Sequence, residues 1–416
     1  MKHAVSITWM MIVVGVGVAM GGWTPVTVPV DTHLRSISYI SDEAVFVAGS
    51  GGTILWFDGD VWNVIPAITE KNLNAIAMIT EEEGWAVGTE GLILRCVAGT
   101  WTIFPTEDEQ WSYNDILAFG STDVYIIGYN FQEGSKLLHW DGLDLTDMHT
   151  FSDNLTALDG TGPNDIWVTG GTSSIAHYDG FTWDTSMATF PETVKIFNMA
   201  LTKNGQPVVT AVRLPGWDID MILEYVPGTG WTTLWQGYEK RVMACDIAEM
   251  RGYALGSAGR IIERSIFGWQ EIAGMGTRQI NAVVLPDMAN GWAVGDLGTV
   301  YRFMQPSINL QIANSALSAG TEFRFDVELI NPGTAIENVM EIMFLEAYGM
   351  IFFWPTWSDA FAFEMVSLPE NHRASSTVFT FEWPSGAGAG EAAFWGALLD
   401  SQSVILGYDI EPFSWQ

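Results

Sequence analysis

The sequence predicts an all-β protein, a seven-bladed β-propeller followed by a small immunoglobulin-like β-sandwich. The first observation is a pattern that occurs seven times: an apolar run, a polar turn, a small apolar segment that ends in glycine, and another apolar run. The second is its period of about 40 residues, which is typical of propeller blades. The third is the lack of any long segment with helical apolar spacing, whereas the 43 glycines suit many tight turns.

The repeat is clearest in its second and seventh copies, which share Gly-Trp-Ala-Val-Gly at 84–88 and 291–295. A glycine closes this segment in six copies, at Gly49, Gly88, Gly128, Gly170, Gly256 and Gly295. Ala211 replaces it in the fifth copy. The second copy predicts the four strands of a blade, at 73–79, 85–88, 92–97 and 100–104.

Turn and tryptophan signals mark the outer half of each copy. An Asp-Gly pair precedes the fourth strand at Asp58-Gly59, Asp141-Gly142 and Asp179-Gly180 and predicts a two-residue hairpin. A tryptophan opens the fourth strand at Trp62, Trp101, Trp183, Trp231 and Trp269. Tryptophans in such regular positions are expected to pack between blades rather than to serve as sugar platforms.

The seventh copy lacks a fourth strand, because after residues 299–303 the chain reaches Gln305-Pro306. Gly22-Trp23-Thr24 resembles the start of a fourth strand and precedes the first copy. We therefore expect residues 23–30 to form the outer strand of the last blade. Such closure removes an exposed sheet edge.

The repeat, with its Gly-Trp-Ala-Val-Gly second strands at 84–88 and 291–295, resembles photosystem II stability/assembly factors and the wider BNR/sialidase-like secreted propellers. The resemblance covers about residues 23–303 and implies a seven-bladed fold. A complete Asp-box is absent, and Asp179-Gly-Phe-Thr-Trp183 only approaches it. No sialidase catalytic set is recognisable, so we expect a protein that is not an enzyme.

Three segments divide the chain: a signal peptide at 1–21, the propeller at 22–305 and a C-terminal β-sandwich at 306–416. The first segment has a positive start at Lys2, an apolar stretch and small residues at 19–21. An uncleaved anchor is the alternative. Eight strands are predicted in the last segment. Its tryptophans form either a carbohydrate face or core, and we favour core: Trp354, Trp357, Trp383, Trp395 and Trp415.

Composition excludes several partners. The formal charge is −32, from 17 basic and 49 acidic residues, so nucleic acid and anionic membrane surfaces are disfavoured. With the signal peptide removed, we expect a secreted, periplasmic or cell-surface monomer that does not bind membranes. Cys96 and Cys245 fall in non-adjacent blades, which predicts buried free thiols.

No motif for a metal, a cofactor or catalysis is found, and we expect none of the three. His139 and His177 occupy one repeat position that elsewhere holds Trp56, Arg95 or Arg302. Such variety indicates the surface of a third strand rather than a metal ligand or a base.

One charge pattern exceeds background. The two residues before each first strand are Thr32-His33, Lys71-Asn72, Trp111-Ser112, Asp153-Asn154, Val194-Lys195, Lys240-Arg241 and Arg278-Gln279. These 14 positions hold five of the 17 basic residues. In a propeller they surround one mouth of the central channel, on the face that carries the long turns of the third and fifth copies. The basic residues either attract an anionic ligand or neutralise neighbouring acids.

The sequence therefore predicts an exported, non-catalytic binding or assembly propeller that captures an anionic peptide or protein segment. The expected ligand-binding residues are Arg35, Lys71, Trp111, Tyr129, Phe131, Lys195, Trp217, Tyr238, Lys240, Arg241 and Arg278. A carbohydrate-binding or degenerate glycosidase-like propeller is one alternative, with a glycan partner. A structural or adhesion protein of the cell surface is the other.

Overall fold

A computed structural model describes residues 17–18, 22–106, 109–187, 189–248, 251–265, 268–272, 274–348, 350–385, 389–401 and 404–415. Apart from Gly17–Val18, the predicted signal peptide lies outside these residues. Within them, no helix is both long and apolar enough to cross a bilayer. By their contacts they divide into two compact units. One unit comprises the described residues of Thr24–Pro286 and Gly291–Arg302, and the other comprises those of Met1–Trp23, Asp287–Asn290 and Phe303–Gln416.

The described chain opens with two short strands, β1 (Gly17–Val18) and β2 (Trp23–Val26). Seven four-stranded antiparallel sheets follow, which confirms the seven-bladed propeller. Blades 1 to 3 contain β3 (Leu34–Ser41), β4 (Ala44–Gly49), β5 (Ile54–Phe57) and β6 (Trp62–Ile65); β7 (Leu73–Thr80), β8 (Glu83–Gly88), β9 (Ile93–Val97) and β10 (Thr100–Phe104); β11 (Ser112–Gly120), β12 (Asp123–Asn130), β13 (Gly134–Trp140) and β14 (Leu145–Phe151).

Blades 4 to 7 contain β15 (Leu155–Gly162), β16 (Asp165–Gly170), β17 (Ser174–Tyr178) and β18 (Trp183–Asp184); β19 (Val194–Leu201), β20 (Pro207–Arg213), β21 (Ile219–Val226) and β22 (Gly230–Tyr238); β23 (Val242–Ala248), β24 (Arg251–Gly256), β25 (Ile261–Ser265) and β26 (Gly268–Ile272); β27 (Ile280–Val284), β28 (Asn290–Gly295) and β29 (Thr299–Met304) with β2. Two single 3-10 turns lie at Ser50–Gly52 and Ser257–Gly259.

The first segment of the propeller closes its last blade, as predicted. β2 lies at the outer edge of the seventh sheet, next to β29. The Thr24 hydroxyl donates to the carbonyl oxygen of Arg302 at 3.2 Å. The rings of Trp23 and Phe303 are 5.4 Å apart. The strand is shorter than the predicted span of 23–30, since it ends at Val26.

Aromatic side chains fill the spaces between blades. The tryptophans that open the outer strands are buried at Trp62, Trp101, Trp231 and Trp269, which confirms the core interpretation. Half-buried Trp183 packs against the core between blades 3 and 4. Both cysteines are buried free thiols.

Polar side chains of the first strands join each blade to the next. In each of the seven interfaces, a side chain of one first strand bonds to a backbone group in, or directly after, the next first strand. The hydrogen bonds join Ser38 Oγ to Met78 N (2.9 Å), Asn74 Nδ2 to Tyr113 O (2.9 Å), Asp115 Oδ2 to Leu158 N (2.9 Å), Asp159 Oδ2 to Leu201 N (2.9 Å), Asn198 Oδ1 to Cys245 N (3.0 Å), Asp246 Oδ2 to Leu285 N (2.7 Å) and Asn281 Nδ2 to Leu34 O (2.8 Å). We call this set the interblade ring.

One sequence-based expectation about the blades is wrong. The Asp-Gly turns are four-residue loops, because β5 ends at Phe57 and β6 begins at Trp62. Asp58 Oδ1 accepts the N–H groups of the two residues that follow Gly59, and only the glycine has a positive φ. The third-strand histidines keep partly exposed side chains, 26% for His139 and 23% for His177. His139 and His177 stack on the second-strand rings of Tyr125 and Trp167, with centroids 4.5 and 4.1 Å apart.

The C-terminal unit contains two sheets. Its strands are β30 (Ser307–Ile312), β31 (Ala316–Leu317), β32 (Glu322–Asn331), β33 (Ile336–Ala347), β34 (Met350–Phe353), β35 (Glu364–Leu368), β36 (His372–Glu382), β37 (Gly390–Leu399) and β38 (Val404–Trp415). One sheet has the order β30-β32-β36, and the other contains β38-β37-β33 with β34 and β35 at its edge. β31 and β1 pair in parallel with β38. This order is that of an immunoglobulin-like sandwich.

The core of the sandwich explains its tryptophans. Trp395 and Trp415 are each 5% exposed, and Trp354, Trp357 and Trp383 pack against the core at partial burial. They are therefore core residues rather than a carbohydrate face. Between the two sheets, the buried Asp409 carboxylate accepts the Leu310 N–H at 2.7 Å. The sequence missed only β31 among the nine strands that the structure describes after Gln305.

Replacing Trp23 by alanine tests the closure of the seventh blade. We expect Trp23→Ala to destabilise the protein by about 2 kcal/mol, since it removes a half-buried ring from the outer strand. The readout is the midpoint of thermal unfolding. Phe131→Ala is the matched control, because that ring is 90% exposed and its loss is expected to change stability by less than about 0.5 kcal/mol. Equal midpoints for the two variants would contradict the closure.

The interblade ring predicts a pH dependence. Burial raises the pKa of Asp115 and of Asp159 to about 7 and that of Asp246 to about 6, although backbone N–H groups oppose the shift. The folded state therefore holds these protons more tightly than the unfolded chain, whose carboxyl pKa is near 3.8. Consequently stability falls as pH rises from about 4 to 7. The carboxyls retain some exposure, so we expect a total effect on the order of 1–2 kcal/mol.

The measurement is the thermal midpoint between pH 5 and 8. We expect the unsubstituted protein to lose roughly 2–6 °C over this range. The Asp115→Asn, Asp159→Asn and Asp246→Asn triple variant is expected to start lower, because each amide replaces one acceptor, but to show a flatter profile. Glu341, whose pKa burial also raises to about 7, is present in both proteins and cancels. Parallel pH profiles would refute the role of the ring.

Candidate functional site

The predicted site lies on one face of the propeller, which we call the funnel face. It is formed by the connections that precede the first strands and by the turns between second and third strands. The two parts are bonded together within blades. Ser50 N donates to His33 O at 2.9 Å, and Thr89 N donates to Asn72 O at 3.0 Å. The same bond joins Ser257 N to Arg241 O at 2.9 Å. The first strands therefore fix the positions of the turns.

This close approach explains the repeated glycine. A Cβ atom on Gly88 would overlap the carbonyl oxygen of Asn72, and one on Gly256 would overlap that of Arg241. Any side chain at the anchor would separate the turn from the connection. In blade 5 the anchor is Ala211, and the connecting turn there is longer, between β20 and β21. The motif that predicted the fold thus also shapes the funnel face.

Three of the five basic residues that precede first strands already have protein partners. Lys71 Nζ donates to the carbonyl oxygen of Glu90 at 3.0 Å and lies 3.5 Å from its carboxylate. Arg278 Nη1 donates to the carbonyl oxygen of Leu297 at 2.6 Å. Arg241 Nη1 lies 3.1 Å from the Asp220 carboxylate. The neutralising role that the sequence left open therefore applies to part of the set.

Arg241 is held most firmly. Asp220 has no exposed surface, and its carboxylate also accepts the Val242 N–H at 3.2 Å. Arg241 Nη2 donates to the carbonyl oxygen of Trp217 at 2.8 Å, and its guanidinium lies 5.8 Å from the Trp217 ring. Burial raises the pKa of Asp220, while the charge of Arg241 opposes this shift. Arg241 is thus the counter-ion of a buried acid.

Lys195 and Lys240 differ from the other three. Neither ammonium group forms an ion pair or hydrogen bond with any residue that the structure describes. Both side chains are half-buried. Burial lowers the pKa of Lys195, because the charged ammonium loses water without gaining a partner. In a chain with a formal charge of −32, these two lysines are positive groups left open to a ligand.

Lys195 lines a cavity of about 520 Å³ on the funnel face, between blades 3, 4 and 5. The hairpin of blade 3 contributes Tyr129 and residues 131–134, and the next connection contributes residues 152–154. Gly171 and Thr172 of blade 4 complete the lining. Three predicted site residues, Tyr129, Phe131 and Lys195, therefore meet in one cavity.

The other predicted residues lie elsewhere. Trp111 is 8% exposed and belongs to the core, where Lys136 lies 4.4 Å from its ring, so its expected surface position is wrong. The structure explains this, because Trp111 packs between blades 2 and 3. Trp217 and Tyr238 are exposed on the blade 5 side of the face. Exposed Arg35 donates to Ser50 Oγ at 3.3 Å.

Asn154 is the residue that sequence reasoning missed. It lines the cavity, and its buried Oδ1 has no hydrogen-bond partner. It stands directly before a first strand, at the position type that drew attention to the basic residues. Its own chemistry gave no signal, because asparagine is common in connections.

The residues that line the cavity offer groups for binding. In the part of the chain that the structure describes, no group of three or more His, Cys, Asp or Glu side chains could hold a metal ion. His177 Nε2 lies 2.6 Å from Asp165, within blade 4 and apart from the residues that line the cavity. Lys195 and Asn154 can instead supply a positive charge and an amide to a bound group.

Comparison with solved structures shows the same fold at low sequence identity. A structure of YCF48 bound to D1 peptide is similar with a TM-score of 0.57 and 14% identity, over 70% of this chain and 97% of that chain. YCF48 from Cyanidioschyzon merolae is similar with a TM-score of 0.55 and 11% identity, over 68% and 98%. The WD40 propeller domain of Doa1 is similar with a TM-score of 0.54 and 14% identity, over 69% of this chain and 98% of that chain. No protein-family model and no curated protein sequence matches this chain.

Substituting Arg241 tests whether its positive charge stabilises the fold, in contrast to the neighbouring Lys240. We expect Arg241→Ala to lower stability by about 2–4 kcal/mol at pH 8, because the buried Asp220 carboxylate loses its counter-ion. The loss is expected to be smaller at pH 5, where Asp220 can take up a proton. Lys240→Ala, at the preceding position, removes an ammonium group that has no partner among the described residues, and it should change stability by less than about 0.5 kcal/mol. Thermal unfolding measures both. Equal effects of the two substitutions, or no pH dependence, would contradict this assignment.

Proposed function

We propose that this protein is an exported, non-catalytic binding or assembly propeller that captures a negatively charged protein segment on its funnel face. One observation carries the proposal: the ammonium groups of half-buried Lys195 and Lys240 have no partner among the described residues, in a protein whose acids outnumber its bases by 49 to 17. An unpaired cation next to so many carboxylates is expected to be satisfied by a ligand.

The shape of the funnel face favours a peptide ligand over a partner protein with a flat surface. Its cavity of about 520 Å³ accommodates one or two side chains, and Phe131 stands beside it with 90% of its surface exposed. Exposed Trp217 and Tyr238 extend the aromatic surface on the blade 5 side. Aromatic anchors around a charged pocket are typical of protein-binding sites.

The comparison adds a precedent for this mode of binding. The similar YCF48 structure is described as bound to D1 peptide. That likeness establishes the fold, and the step to peptide capture by this chain is our proposal. The proposed export rests on the sequence of residues 1–21, as does release from the membrane after signal cleavage.

The test is binding of the protein to a panel of labelled twelve-residue peptides that are acidic, neutral or basic. Fluorescence anisotropy at low salt measures the binding. We expect the full-length protein to prefer the acidic peptides, with an affinity that falls as salt is added. The double variant Lys195→Glu plus Lys240→Glu should weaken binding of the acidic peptides at least tenfold.

The matched control is Lys203→Glu. This exposed lysine lies in the turn between β19 and β20, at the end of the blade opposite the funnel face. Its reversal changes net charge without touching the proposed site, so binding should stay within twofold of that of the unsubstituted protein. No preference for acidic peptides, or equal losses from the control and from the double variant, would reject the proposal.

A further inference from the structure

We infer that the cavity between blades 3, 4 and 5 is a pocket for a single carboxylate, in which Lys195 and Asn154 bind an acidic residue of the captured segment. The inference rests on the proposed function, since it names the chemical group that the funnel face recognises. Lys195 would pair with the carboxylate, and the Asn154 amide would bond to the backbone N–H of the same residue.

Lys195 is prepared for an anion. Lys195 is the second residue of β19, and its backbone pairs with that of Thr172 in blade 4. The point from which its side chain extends is therefore fixed. Its side chain is half-buried, and its ammonium has no partner in the described part of the chain. A bound carboxylate would replace the water that the ammonium has lost.

Asn154 supplies a second unsatisfied group. Its Oδ1 is buried without a hydrogen-bond partner, and such an acceptor costs about 1–3 kcal/mol when it is left unpaired. A rotation of the Asn154 side chain toward the cavity would let a ligand N–H satisfy it. The connection that carries Asn154 is rigid, because Ser135 Oγ donates to Asp153 O at 2.7 Å and accepts from Leu155 N at 2.8 Å.

The acids of the lining are already engaged and limit what can enter. Asp153 Oδ2 accepts from Ser174 Oγ at 2.8 Å, and Glu133 Oε1 lies 3.5 Å from Asn130 Nδ2. Their charges repel every carboxylate that is not held directly against Lys195. The pocket therefore suits one carboxylate beside Lys195, with an apolar neighbour against Tyr129 and Phe131, rather than a run of acids.

Two parts of a protein segment supply this chemistry. A chain end presents its carboxylate and its N–H on one residue, and an internal Asp or Glu presents a side-chain carboxylate near its own N–H. Three fluorescein-labelled octapeptides of one neutral sequence distinguish the sources. The first has a free C-terminal carboxylate, the second an amidated end, and the third an amidated end with glutamate at the penultimate position.

Anisotropy with the full-length protein at pH 7 and low salt measures the affinities. We expect at least one carboxylate peptide to bind ten times more tightly than the neutral amidated one, and the stronger of the two identifies the source. Lys195→Met, which keeps the length of the side chain, should abolish the difference. Lys195→Arg should retain most of it, and Asn154→Ala should reduce it about threefold. Lys203→Met, at an exposed lysine in the turn between β19 and β20, is the matched control and should leave the difference within twofold.

The inference is overturned if Lys195→Met discriminates between the peptides as the unsubstituted protein does. Equal binding of the neutral amidated peptide and both carboxylate peptides overturns it as well. In either case the preference for acidic twelve-residue peptides can persist, so the proposed function would survive. Failure of every peptide to bind overturns both. Thermal midpoints establish whether each variant is folded. We expect them to change little, because the exposed end of a half-buried lysine contributes little to stability.

Discussion

The inner edge of each blade imposes the constraint on which the propeller depends. A first strand has a sheet neighbour on one side only, and its other backbone groups face the channel and the next blade. The interblade ring satisfies part of this requirement at all seven interfaces, through side chains such as Ser38, Asn74 and Asp159. Asparagine and aspartate are unfavourable in strands. Their presence in these strands is explained by the backbone groups they satisfy in the neighbouring blade.

The interblade ring also affects where the acidic groups of the protein lie. Asp115, Asp159 and Asp246 place three carboxyls around the channel, where Asp246 raises the pKa of Asp159 further by repulsion. Several guanidinium groups are used in packing or in ion pairs within the protein. Arg95 lies 4.9 and 4.6 Å from the rings of Trp85 and Trp140, and buried Arg260 pairs with Glu271 at 3.1 Å.

Because arginines are used in this way, the basic groups that remain open on the funnel face belong to lysines. Arg241 is tied to Asp220 and Lys71 to Glu90, whereas Lys195 and Lys240 have no partner among the described side chains. The difference follows from position. Arg241 follows a blade whose third strand carries a buried acid, whereas Asp153, which lines the cavity together with Lys195, is bonded to Ser174. The proposed binding is thus concentrated where structural pairing is absent.

The sequence alone determined the number of blades, the closing strand and the sandwich, because these depend on local chain properties. Period-2 apolar runs, turn residues and an anchor glycine at Gly88 or Gly256 are dictated by strand geometry and by a Cβ that has no room. Only the tertiary structure decided which polar residues serve the fold and which remain open. Trp111 and Arg241 have the same sequence signature as Lys195, yet one packs into the core and another neutralises Asp220. Pairing and burial depend on neighbours from other blades, which single-chain periodicity does not specify.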